Sequence, residues 1–142
     1  MEKMGSIFYF VHILGAVSVG YYLLLPFVVS ALMKLAAPAQ EGSIAAVRTF
    51  NRIAQYGLII QLITGGYIMS KGDYAVSWMI VVVVIFLAML AIGGIMGKSL
   101  RLGIAGIQEK RDISAEKNKL RMFSIILAVL LLVMLGIMVY PW

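Results

Sequence analysis

Four stretches of this chain, Ile7–Leu32, Ile53–Met69, Trp78–Gly97 and Met122–Tyr140, contain no Asp, Glu, Lys or Arg. Each is long enough to cross a hydrocarbon core, which takes about 20 apolar residues, with a range of roughly 17–25. In lipid every backbone polar group must be satisfied within its own segment, so such stretches resolve to helices. The predicted fold is therefore all-α: one membrane domain covering residues 1–142, a four-transmembrane-helix antiparallel bundle with helices over 7–32, 44–71, 77–107 and 114–140. Composition agrees, since 63% of residues are hydrophobic and only 13% charged, against about 25% charged in soluble domains.

The net charge of +6 would suggest nucleic acid in a soluble protein, but its placement points elsewhere. Lys34, Arg48 and Arg52 flank the first connection; Lys98, Arg101, Lys110, Arg111, Lys117, Lys119 and Arg121 flank the third; the opposite side holds Lys3 and Lys71. This asymmetry predicts that the first and third loops are cytoplasmic and that both termini lie outside, in the cell membrane. The partners that follow are the lipid bilayer and, at the Lys/Arg loops, anionic lipid; nucleic acid is not expected. The first stretch exceeds the apolar core of a secretory signal and its cation, Lys34, follows it, so it is read as a span. With no cysteine, disulfides, thiolate metal sites and cysteine nucleophiles are excluded.

Local signals suggest where the helices end. Pro38 and Gly42 read as breakers, with Ser43 as the N-cap of the second helix and Gly72 as its C-cap. Leu100, Ile104 and Ile107 fall on one face of a continued third helix, and Ser114 reads as the N-cap of the last. Trp142 is placed at the outer interface. Helices in lipid meet through small and polar residues. Ala16 and Gly20, then Gly57, Gln61 and Gly65, then Gly93 and Gly97 supply such faces, whereas the last helix is expected to lie largely against lipid.

The only histidine, His12, sits in the first stretch, roughly 8 Å deep at 1.5 Å per residue. An ionisable side chain inside a span is by default a functional-site hypothesis. Its plain reading is a hydrogen bond to a hydroxyl, Tyr9 or Thr64. Its sharper reading is ligation, because neutral imidazole binds haem iron and suits copper. Counting inward from the outer ends places Thr64, Gly65, Gly66 and Met134 at the same depth, beside Gly15 and Ala16 of the first helix. The small residues leave space for a flat macrocycle, and Met134 could supply a second axial ligand to haem b. A two-fold dimer would instead bring two copies of His12 together.

Other candidates are weaker. The remaining methionines read as core packing, and Gln55 and Gln61 as bridges between helices. Tyr21 and Tyr22 stand near Pro26, whose ring frees a carbonyl around Tyr22 that the hydroxyls could satisfy. No Asp or Glu lies in any span, which excludes carboxylate-based proton coupling. No nucleophile, zinc-protease or phosphate-loop motif occurs, so catalysis by this chain alone has no support.

The stretches VHILGAVSVGYYLLLPFVVSAL and RTFNRIAQYGLIIQLITGGYIM resemble a group of small bacterial four-helix integral membrane proteins of uncharacterised function. Their first helix carries a His-Ile-Leu-Gly-Ala start, matched by His12 to Ala16 with Gly20 following. The same pattern is loosely similar to the copper-resistance D membrane family, although this chain is half as long and has no further histidine. The resemblance implies a family mark at His12. Three function classes stay open: a non-catalytic haem b or metal protein for electron transfer or sensing; a route for copper or another small solute; and an accessory subunit of a larger membrane complex, with no cofactor.

Overall fold

The computed structural model describes residues 2–140, with side chains from Gly5 onward. The elements are α1 (Glu2–Val19), α2 (Tyr21–Leu32), α3 (Ala37–Lys71), α4 (Val76–Gln108) and α5 (Ser114–Val139), and no strand occurs among the described residues. The expected interface anchor, Trp142, and the Lys3 side chain lie outside them. Three stretches, Gly5–Leu32, Val76–Gln108 and Ser114–Val139, are long and apolar enough to cross a membrane. α3 has 35 residues, ample length at 1.5 Å per residue, but its polar side chains dilute its hydropathy. Asn51, Gln61 and Thr64 among them are buried, while Ile53, Ile59, Ile60 and Ile63 face outward. Part of the polarity of α3 is thus hidden inside the bundle, while Thr49, Arg52 and Lys71 stay exposed.

The helices alternate in direction. His12 meets Thr64, Tyr22 meets Asn51 and Leu32 meets Gln40, so the chain runs antiparallel down the first helix and back along α3. Asn51 reaches Gly93, and Trp78 reaches the Ile137 carbonyl, extending the same alternation to α4 and α5. The core is built from Tyr22, Leu25, Leu58, Met89, Met96 and Leu127, all at 0% exposure. Two methionines in that set bear out the packing role expected of them.

α1 and α2 are one membrane-length rod interrupted at Gly20. Pro26 has no N–H to offer the Tyr22 carbonyl, and its ring crowds that position. Just upstream the Leu23 N–H bonds Gly20 at 3.0 Å, a tighter i→i+3 contact. Beyond the interruption the two halves diverge: α2 packs on α3 and α5, whereas α1 packs on α3 and not on α5. The bundle is closed at one end and laterally open at the other. α5 buries one stripe, with Leu120, Ser124, Leu127, Leu131 and Met134 packed against α2 and α4, while Met122, Ile125, Val129, Leu132 and Leu135 face outward, so most of this helix is free to meet lipid as expected.

Helix ends differ from expectation in two places. α3 begins at Ala37, seven residues before the expected start, because Pro38 sits in its first turn, where a fixed φ and a missing N–H cost nothing. Gly42 and Ser43 continue that helix. Gly72 does end it, in an extended conformation. Ser114 is the first residue of α5 rather than its cap; Asp112 accepts from the Ser114 hydroxyl at 2.7 Å and from its backbone N–H at 3.1 Å. These two bonds hold the Asp112 carboxyl below the usual carboxylate range.

α4 ends in a Schellman turn, with Arg111 N–H on the Gly106 carbonyl at 2.7 Å and Lys110 N–H on Ile107 at 3.1 Å. Lys110 therefore adopts φ 56°, the only positive φ among the described residues. A side chain there costs about 1 kcal/mol. Lys110→Gly is expected to stabilise the protein by about 0.5–1 kcal/mol, read as a rise in the unfolding midpoint in detergent; a fall would contradict this conformation.

Candidate functional site: a histidine-walled cavity

Where α1 leans away from α5, a cavity of about 210 Å³ remains between α1, α3, α4 and α5. His12 is its contribution from α1. α3 supplies Gln61, Gly65, Gly66 and Met69; α4 supplies Trp78 and Phe86; α5 supplies Met138. Gln61, Tyr74 and Trp78 add polar atoms to a mostly apolar lining, and His12 is its one imidazole.

α3 fixes the position of His12 in three ways. Gly15 and Gly57 let the two backbones approach: a Cβ added to Gly57 would lie 3.0 Å from the Ser18 Cβ and 3.3 Å from the Gly15 carbonyl. The Gln61 amide donates to the His12 carbonyl. His12 Nδ1 lies 2.7 Å from the Thr64 hydroxyl oxygen, and that hydroxyl lies 2.7 Å from the Ile60 carbonyl. A carbonyl can only accept, so the Thr64 proton goes to Ile60 and the Thr64 oxygen accepts from His12 Nδ1–H. This network assigns the tautomer. Nε2 then carries a lone pair, and no hydrogen bond to it occurs among the described residues. Ligating histidines have the same arrangement, one nitrogen donating to an orienting acceptor and the other free to bind.

The residues predicted from depth separate into two groups. Thr64, Gly65 and Gly66 do gather at His12; a Cβ at Gly65 would sit 3.4 Å from the imidazole Cε1. Gly15 is on the α1–α3 seam, beneath Gln61. Ala16, one turn beyond His12, is exposed and lies outside the cavity lining. Met134 is buried in the α5 core and is absent from the lining; Met138, one turn later, takes that place. Met69, Trp78 and Phe86 were not predicted from sequence. Met138 was within reach of it, four residues from Met134, but depth counted from a helix end carries no information on tilt.

A second polar cluster lies toward the closed end. The Tyr22 hydroxyl donates to Asn51 Oδ1 at 2.9 Å, the Gln55 amide donates to the Tyr22 oxygen at 3.0 Å, and Asn51 Nδ2 donates to the Gly93 carbonyl at 3.0 Å. Tyr22 thus bonds across to α3 instead of satisfying a carbonyl released by Pro26. Gly93 is bare because a Cβ there would stand 2.8 Å from the Tyr22 hydroxyl and collide with the Gln55 amide. It makes room for polar side chains more than for a neighbouring backbone.

Among the described residues no three His, Cys, Asp or Glu side chains come together. A hard cation therefore finds no cage here, while a soft one could combine imidazole with thioether. The cavity is smaller than the roughly 300–1,000 Å³ of clefts that enclose drug-sized ligands, so one protomer does not enclose a macrocycle. Searches against protein-family models, curated sequences and solved structures return no match to this chain.

Proposed function

We propose that this chain is a non-catalytic integral membrane protein of four spans that holds a soft metal ion, copper(I) foremost, at His12. The observation that carries the reading is the free Nε2 of a tautomer set by Thr64, in a cavity that Met69 and Met138 also wall. Thioether and imidazole are the donors that select copper(I). The fourth span is α3, whose outer isoleucines face lipid as those of its neighbours do. The excess of Lys and Arg around the α2–α3 and α4–α5 connections supports a cytoplasmic position for them, with both termini outside. The cavity then opens near the outer face, where an ion could be retained or passed along the bundle.

The experiment is copper(I) titration of the detergent-purified protein. One ion per protomer is expected. His12→Ala should weaken binding at least about 100-fold, since loss of an outer-shell partner alone costs roughly 10–100-fold. Thr64→Val, which removes only the orienting acceptor, should cost about tenfold. Binding that survives His12→Ala unchanged would end the proposal. A liposome flux assay separates passage from retention.

A second reading has one observation behind it: the cavity is open laterally between α1 and α5. A haem b larger than the cavity could enter from that side, held by His12 of two copies in a homodimer for electron transfer or sensing. A Soret band in the purified protein, lost in His12→Ala, would favour it over copper.

A further inference from the structure

We propose that the groove between α3 and α4 is a binding site for a phosphate-bearing anion, filled in the membrane by the headgroup of an anionic phospholipid. The groove, about 430 Å³, is lined by Arg48 and Arg52 of α3 and by Lys98 and Arg101 of α4, with no carboxylate. The ion pairs found among the described residues are those of Arg111, with Glu109 and Glu116. None of the four groove cations takes part in one. Four like charges around one concavity repel each other, and an anion placed among them removes that repulsion. Arginine's fork suits phosphate in particular.

Two further observations shape the site. Its floor is glycine: a Cβ at Gly94 would meet nothing within 4 Å, and one at Gly97 only Asn51 Nδ2 at 3.5 Å. At Gly94 and Gly97 the bare backbone leaves room that no protein atom fills, while the third glycine of the lining, Gly93, is covered by Gln55 and Tyr22. Arg52 and Lys98 also mark the points where the charge-free stretches of α3 and α4 end, which is headgroup level. The lining then continues along α3 to Tyr56 and Ile59, both on the apolar outer face, where an acyl chain can lie. This site is independent of His12.

The test uses the full chain in neutral detergent, with native mass spectrometry and the unfolding midpoint as readouts. The probes are phosphatidylglycerol, phosphatidylcholine and inorganic phosphate, each added alone. Phosphatidylglycerol is expected to bind and stabilise in preference to phosphatidylcholine. Arg52→Gln/Lys98→Gln should lower that affinity about thirtyfold, at roughly a tenfold step per 1.4 kcal/mol for two surface cations. Gly94→Leu keeps every charge and fills the open floor, so it should block lipid binding while the lipid-free midpoint stays. Lys119→Gln/Arg121→Gln, exposed on α5, should bind as wild type. If inorganic phosphate protects as well as phosphatidylglycerol, and the groove variants abolish both, the site stands with a soluble anion as its source. Equal binding of phosphatidylcholine, or equal losses in the α5 variant, would overturn it.

Discussion

Gly57→Leu is expected to separate α1 from α3 and to abolish the metal binding proposed at His12 as completely as removal of the imidazole. At this crossing an added Cβ would already lie 3.0 Å from the Ser18 Cβ, 3.3 Å from the Gly15 carbonyl and 3.4 Å from the Val19 Cγ2. One of those neighbours is backbone, so no rotamer change relieves the crowding. Overpacking of this kind costs about 1–3 kcal/mol, and the upper end applies because, among the described residues, α1 packs chiefly on α3. Once α1 lifts, the Gln61 and Thr64 bonds that position His12 are lost together. Chemical unfolding in detergent measures the stability and copper(I) titration the site. Gly136→Ala is the control, since a Cβ there meets nothing within 4 Å. A variant at Gly57 that melts and binds like wild type would refute the close crossing.

Asn51→Leu should destabilise the bundle by about 2 kcal/mol. Asn51 is 4% exposed and joins three elements, accepting from Tyr22 of α2 and donating to the Gly93 carbonyl of α4. Leaving buried partners unsatisfied costs roughly 1–3 kcal/mol each in water-soluble proteins. Interhelical bonds in lipid average nearer 0.6 kcal/mol, because the separated helices find other partners. Two bonds near the membrane boundary fall between these limits. Tyr22 keeps its Gln55 donor, which caps the loss. Adding Tyr22→Phe to Asn51→Leu should cost less than the sum of the single changes, with a coupling of about 1 kcal/mol. Strict additivity in that double-mutant cycle would show that the two side chains do not act together.

Reading the site from sequence succeeded where chemistry was local and failed where rotation mattered. His12 declares itself as the only histidine, set in a stretch without Asp, Glu, Lys or Arg, and Thr64 could be named as its partner because both lie a similar distance from their helix ends. The same depth count assigns Met134 and Ala16, yet Met138, one turn further along the same face, lines the cavity instead of Met134, and Ala16 is exposed. Counting from a helix end does not include the tilt that sets which turn reaches the site. Asn51 escaped notice because it sits between two arginines in RTFNR, a stretch that reads as a solvated basic turn. Only the neighbouring α2 and α4 show that this residue faces inward while Arg52 faces out.

Sequence alone determined that the chain is helical and apolar enough for lipid, where its charges cluster, and which side chain merits a functional hypothesis. Those properties follow from residue type and linear spacing, because hydration and backbone satisfaction act one segment at a time. Tertiary structure decided that α1 leans away from α5, that the space so left is walled by Met69 and Met138, and that four cations converge on one groove. Each of these depends on how one helix is tilted and turned against the next. That choice is made by contacts between segments distant in the chain, so no single segment encodes it.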